Sequence, residues 1–349
     1  MAKRINTLEE LNNSDFSSYE AIIINDDSQI FDDVSIGIKV IIEFVKKNPQ
    51  IEVRIVNNNS EKENRFEKLF EIKDLFLKTD LASSEKIKIM LPGMLAFKKI
   101  SYDKNPIDTF ETFHTLKEIN ETENFLNQIV NDINSYGFSQ FEKVLAAYII
   151  TTQFKDYKES RNIQEYSKSR SIYAIMFNDY IVCEGYSRLF NTILNRLNIP
   201  ASEMIYKITR GAHAVSLVTI VDNSYDICGK YLFDPTADNY QKRHGNEEIN
   251  IPISFFAQSS WEFEDTHNGI DLNNLLHAPS IKEELPSVNQ VEDMYDEVSE
   301  EEIDVDVLKS CYVDVFSKIY NTDLSNDGEF NKNLSSLINK RMDTQSFKI

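Results

Sequence analysis

Residues 180–187 read Tyr-Ile-Val-Cys-Glu-Gly-Tyr-Ser, residues 210–218 read Arg-Gly-Ala-His-Ala-Val-Ser-Leu-Val, and residues 231–238 read Tyr-Leu-Phe-Asp-Pro-Thr-Ala-Asp. Behind the first segment, Tyr186, Leu189, Phe190, Ile193, Leu194 and Leu197 recur at the spacing of a buried helix face, and Pro200 stops the pattern. Cys183 therefore opens a helix. Unpaired N–H groups and the positive end of the macrodipole favour thiolate there, which is expected to lower the thiol from its free value of about 8.5. Gly185 removes a side chain where another element, expected to be the strand bearing the histidine, presses against the helix start. His213 begins a run rich in β-branched residues that reads as a strand, and a second strand ends at Asp234. With Asn223 and Ser224 as a two-residue turn, His213 would directly oppose Asp234, and Cys228 would oppose Thr219. Opposed side chains share a face with Cβ atoms about 4.5–5.5 Å apart, close enough for a carboxylate to accept an imidazole N–H. A longer loop around residues 225–229 is the competing hairpin.

Each of these residues has a plain structural role open to it. A core-facing cysteine is a small hydrophobe, a histidine at a strand start is often just hydrogen-bonded, and Asp-Pro commonly ends a strand in a turn. What points to chemistry is the combination of a nucleophile at a helix start, a strand histidine to move protons and a carboxylate to orient the ring. Zinc binding by Cys183, His213 and His244 has no paired ligand spacing behind it, so no metal or other cofactor is called for. Cys228 and Cys311 keep the structural reading.

Taken together the segment resembles the transglutaminase-like superfamily, whose core carries a papain-like Cys-His-Asp arrangement. Val-Cys183-Glu-Gly-Tyr-Ser matches the family's Cys-x-Gly-Tyr-Ala helix start, His213-Ala-Val its strand histidine, and Phe-Asp234-Pro-Thr its Asp-Pro motif. The similarity covers residues 138–240. It implies an α+β papain-like core and a thiol acyl-transfer enzyme acting on protein or peptide amides, as peptidase, amidase or deamidase, or transglutaminase. Cys183 would be the nucleophile, His213 the base that later protonates the leaving amine, and Asp234 the group that orients His213. Ser187 replaces the usual alanine, and Ala214 to Ser216 and Ala237 stand where many relatives carry aromatic residues. The substrate groove would accordingly differ in shape. An oxyanion needs donors; the Cys183 backbone N–H is one candidate, with Asn178 or Tyr180 for a second. Arg188 and Arg210 could hold a substrate carboxylate, the plain alternative being solvated surface arginines. The competing function is a noncatalytic interaction scaffold that retains the core.

Outward from this segment, the chain has 349 residues, more than one core usually supports. In residues 1–105, the short β-branched runs at 21–25, 51–56 and 87–91 alternate with helical spacing at 34–47 and 61–78. That order predicts a small α/β domain with a largely parallel sheet. Residues 106–250 would form the catalytic domain with its preceding helices. Phe125, Leu126, Ile129, Val130 and Ile133 make one helical stripe, broken at Gly137, and Ser139 with Glu142 forms a capping box for the next helix. Residues 251–349 read as a loop-rich, acidic and helical extension, with an acidic run at 292–306 taken as a solvated linker or helix face rather than a binding site, and closing helices at 305–320 and 330–338.

Composition excludes several functions. Acidic residues outnumber basic ones 57 to 37, giving a net charge of −20 that repels nucleic acid and anionic lipid and favours basic protein or peptide substrates. No glycine-rich phosphate loop is present. Three cysteines, odd in number and far apart, give no disulfide framework. The start carries no secretory signal and no segment reaches a membrane-spanning length, so the expected compartment is the cytosol, with signal-independent export left open. Oligomeric state has no sequence signature here.

Overall fold

The computed structural model describes residues 1–57, 67–91, 112–159, 168–173, 177–208, 211–244, 253–267 and 298–320. The architecture is mixed α/β, with a parallel-rich sheet and several helices. It divides into two units, Met1–Phe125 with Ser171–Phe177, and Leu126–Arg170 with Asn178–Ile349. The described parts of residues 251–349 belong to the second.

The first unit is built on strands β1 (Ala2–Ile5), β2 (Ala21–Asn25), β3 (Glu52–Val56), β4 (Ile87–Leu91) and β5 (Thr112–Thr115), in that spatial order. The first four run parallel and β5 is antiparallel to β4. Register explains the alternation of the sequence: Ile22, Val53 and Ile87 line up across the sheet, as do Ile24, Ile55 and Ile89, and all six are fully buried. Ile23, Arg54 and Lys88 form the row between them on the other, half-buried face. Helices α1 (Leu8–Asn13), α2 (Val34–Lys47) and α3 (Glu67–Phe76) connect the parallel strands. Leu11, Ile38, Ile41, Phe44, Leu69, Ile72 and Phe76 are among their buried apolar positions. The edge strands β1 and β5 and helix α1 have no counterpart in the sequence reading. Helix α4 (Leu116–Ser135) contributes its first residues to this unit and the rest to the second.

In the second unit, strands β6 (Ala201–Ile208), β7 (Gly211–Asp222) and β8 (Ile227–Phe233) form an antiparallel sheet with β7 in the middle. Helix α5 (Gln140–Phe154) has the predicted Ser139 and Glu142 capping box, and Gly137 ahead of it has the left-handed φ of 68°. Helix α6 (Cys183–Arg196) begins at the predicted residue and packs on β6, β7 and α5. Its apolar stripe is buried as expected. Its polar stripe is buried too: Glu184, Ser187, Arg188, Asn191 and Thr192 are all at most 7% exposed. Helix α7 (Pro235–His244) follows β8, α8 (Ser260–Thr266) starts from a second capping box at Ser259 and Glu262, and α9 (Val305–Tyr320) packs on α5. Helix α8 lies where a loop was expected. The predicted helix at 330–338 lies outside the described residues.

The β7–β8 hairpin corrects the expected register. Asp222 pairs with Ile227 and Ser216 with Phe233, so residues 223–226 form a four-residue turn rather than a two-residue one. Asp222 sets its length: its carboxylate accepts from Ser224 N–H at 2.9 Å, while Asp226 takes a left-handed φ of 55°. The same carboxylate accepts the Phe141 N–H at the start of α5 at 2.7 Å. Cys228 consequently faces Val221, not Thr219, and His213 does not sit opposite Asp234. The shift is by two residues, which keeps every side chain on its predicted face. Among the described residues, no helix is long and apolar enough to cross a membrane.

Candidate active site

Asp234 is the residue after β8, and its location follows from local chemistry. Its Oδ1 accepts from the backbone N–H groups of Thr236 and Ala237, both at 3.0 Å, capping helix α7, while Pro235 occupies the first helical position, where no N–H is needed. The expected turn is thus a helix cap. Capping turns Oδ2 toward the sheet, where it lies 2.6 Å from His213 Nε2. A carboxylate oxygen only accepts, so His213 Nε2 carries hydrogen and Nδ1 is the ring nitrogen left for Cys183. His213 and the Ala214 N–H both lie where they favour the Cys183 thiolate, while the thiol itself donates to Glu184 Oε2 at 3.6 Å. The three predicted residues therefore meet, with Cys183 7% exposed and Asp234 fully buried.

Electrostatics only partly follow the sequence expectation. Burial works against a charged His213, but the adjacent Asp234 charge and hydrogen bond outweigh it and hold the imidazole well above its ordinary 6.5. Burial likewise opposes the Asp234 anion, yet His213 and then His267 keep its carboxyl below the usual carboxylate range. Cys183 departs from expectation. Burial, then the Glu184 carboxylate, pushes its thiol up, against the bonds from His213 and Ala214 that favour thiolate. Glu184 Oε2 lies 3.6 Å from the sulfur and is itself paired through Oε1 with Arg170 at 2.7 Å. Desolvation and then the neighbouring carboxylate thus outweigh the influences of His213 and Ala214.

Three further groups surround the triad without having been found in the sequence. His267 ends α8, with Nε2 3.3 Å from the same Asp234 Oδ2. Tyr148 of α5 places its hydroxyl 2.6 Å from Asp238 Oδ2 and 2.9 Å from the Asp234 carbonyl. Asp238, fully buried one turn along α7, also accepts from Ser254 N–H at 3.0 Å and Phe255 N–H at 3.1 Å. The Asp-x-x-x-Asp spacing at 234 and 238 was a readable signal for the last. Burial, with Asp234 adding, pushes the Asp238 carboxyl up to about 7 despite its three donors. A carboxyl raised in the folded state binds its proton more tightly there than in the unfolded chain. Its contribution to stability is present below about pH 4 and is lost as pH rises toward 7. A side-chain carboxyl carbon titration is expected to show an Asp238 midpoint near 7; a midpoint at the ordinary 3.8 refutes this.

Other predicted positions behave differently. Arg188 is a correction: it is 1% exposed, with Nη2 3.3 Å from Glu203 Oε2 and Nη1 donating to the Arg170 carbonyl at 2.9 Å. It is neither a substrate clamp at the surface nor a solvated arginine, because β6 lays a carboxylate against it. Arg210 lies outside the described residues. Asn178 receives the Lys155 ammonium on its carbonyl, and Tyr180 has the Lys158 ammonium 4.7 Å from its ring centre; both are half-buried. Gly185 does permit a close approach, but not of the histidine strand. A Cβ there would lie 2.7 Å from the Ser169 carbonyl oxygen and 2.8 Å from Ile181 Cγ1. The approach of β7 is instead made by Ser187, whose hydroxyl donates to the Ala214 carbonyl at 3.0 Å. Cys228 is exposed and Cys311 buried, both as free thiols. Among the described residues, no group of three metal-ligating side chains is assembled. Comparison of the chain with protein-family models and with curated proteins gives no match.

Proposed function

We propose that the protein is a transglutaminase-like thiol acyltransferase or hydrolase of protein or peptide amides, with a papain-like arrangement of helix-start cysteine, mid-sheet histidine and orienting aspartate. The observation that carries this is the bond of 2.6 Å between His213 Nε2 and a capped, buried Asp234, with the same imidazole favouring the thiolate of Cys183. Such fixed geometry is what a nucleophile and base require.

Neutral His213 takes the Cys183 proton on Nδ1, and the sulfur attacks the carboxamide carbon. The tetrahedral oxyanion forms beside the helix start, where the first N–H groups have no partner within the helix. The Cys183 N–H is assigned one donor role, with a side chain from Asn178 or Tyr180 as the second. Collapse breaks the C–N bond, the proton held by His213 leaves with the amine, and a thioester remains. Water or a second amine, deprotonated by His213, then releases a carboxylate or a new amide and restores the thiol. The net charge of −20 favours basic polypeptide substrates at low salt.

A noncatalytic scaffold has one observation in its favour, the buried thiol whose proton is held by its surroundings. Iodoacetamide separates the two. Cys183 alkylation is expected to rise with pH above the ordinary histidine value of about 6.5, as His213 loses its proton, and to fall by about 10²-fold or more in His213→Ala. Exposed Cys228 serves as the internal reference and keeps its rate. Equal Cys183 rates in both proteins would establish the scaffold.

A further inference from the structure

The geometry points to His267 as a positioning residue that shares the Asp234 carboxylate with His213 and thereby sets the proton affinity of His213. The inference rests on the acyl-transfer reading for its bearing on Cys183, but its core is a statement about two imidazoles on one oxygen. His213 Nε2 and His267 Nε2 approach Asp234 Oδ2 at 2.6 and 3.3 Å, while Oδ1 is occupied by the two backbone donors of α7. The carboxylate accepts on all sides, so His267 Nε2 must carry hydrogen.

The ring of His267 is held on its remaining sides. Its Nδ1 lies 3.0 Å from both the Phe263 carbonyl and the Thr266 hydroxyl, which Gln258 Nε2 approaches at 3.0 Å. It stacks on Phe263 at 3.9 Å between centroids and meets Phe255 edge-on at 5.3 Å. The side chain is 1% exposed. Such a ring fixes the carboxylate rather than following it. It also draws part of the carboxylate's negative potential away from His213. The other ionisable groups near the pair are Asp238 on α7, Tyr148 on α5, and Cys183 and Glu184 on α6, none of which offers Oδ2 a comparable N–H donor.

Two amide substitutions isolate the contact. A glutamine amide nitrogen reaches the position of imidazole Nε2, whereas an asparagine nitrogen reaches only that of Nδ1 and bonds the Phe263 carbonyl. In protein labelled with ¹⁵N-histidine, the His213 titration midpoint is expected to stay within about 0.2 unit of wild type in His267→Gln and to rise by about 0.5–1 unit in His267→Asn. A rise is the expected sign because removing the second donor leaves the full carboxylate charge on His213. Both variants keep a polar side chain in the same space, and loss of packing alone would not distinguish them. Identical His213 midpoints in the two variants overturn the assignment. Should the midpoint move while Cys183 alkylation by iodoacetamide does not follow it, the assignment of His267 stands and the acyl-transfer reading fails.

Discussion

Asp234→Asn is expected to lower acylation of Cys183 by about 10⁴-fold while leaving helix α7 capped, the size the same exchange has in a Ser-His-Asp triad. The asparagine oxygen must remain where Oδ1 accepts the Thr236 and Ala237 N–H groups, so its NH₂ takes the place of Oδ2. That NH₂ then faces His213 Nε2 at 2.6 Å and His267 Nε2 at 3.3 Å, donor against donor. His213 can relieve the clash only by moving its hydrogen to Nδ1, which is the nitrogen that must accept the thiol proton. Nitrophenolate release from p-nitrophenyl acetate, followed as a burst, measures the loss. A rate within tenfold of wild type means that Asp234 serves the helix and not the chemistry. Asp234→Ala is the less informative variant, since it also removes the cap, worth about 1 kcal/mol.

The largest stability effect is expected at Arg188 and Glu203. Both side chains are 1% exposed, and the guanidinium is committed to Glu203 and to the Arg170 carbonyl. Arg188→Ala removes the guanidinium from a carboxylate that is 1% exposed, and removing one partner of a buried pair typically costs about 3–5 kcal/mol. Replacing both, Arg188→Met with Glu203→Leu, removes the two charges together and is expected to recover most of that loss. Urea unfolding followed by far-ultraviolet circular dichroism measures the loss. A single-variant loss below about 1 kcal/mol would show that solvent reaches the pair.

How much of this was legible depends on how local each cause is. Strands β2, β3 and β4 were readable because runs such as Ala21–Asn25 are apolar and β-branched. β1 and β5 were not, because four residues containing Lys3 and Arg4, or His114 and two threonines, carry no apolar run to detect. The start of α6 at Cys183 and the box at Ser139 were encoded within a few residues and lie where expected. The hairpin register depended on a side chain, Asp222, bonding forward into its own turn and across to α5, which alternation alone cannot show. His213 and Asp234 still met because a two-residue shift conserves the face. Arg188 sits on the polar stripe of a periodic helix, where sequence suggests water; only β6, folding over it with Glu203, makes the position interior. His267 reaches Asp234 across 33 positions of chain, beyond any local pattern. The thiol's proton affinity was misjudged because helix polarity is a local rule and burial is not.

The double hold of α5 on the β7–β8 hairpin has a mechanical consequence. Asp222 at the tip is tied to the Phe141 N–H, and the carbonyl of Asp234 at the far exit meets the Tyr148 hydroxyl of the same helix. A ribbon pinned at both ends to one rod has no freedom to slide along its neighbour strand or to pivot about its turn. On the acyl-transfer reading, whatever admits a substrate to the sulfur is expected to move something other than this ribbon, since the rod holds both of its ends.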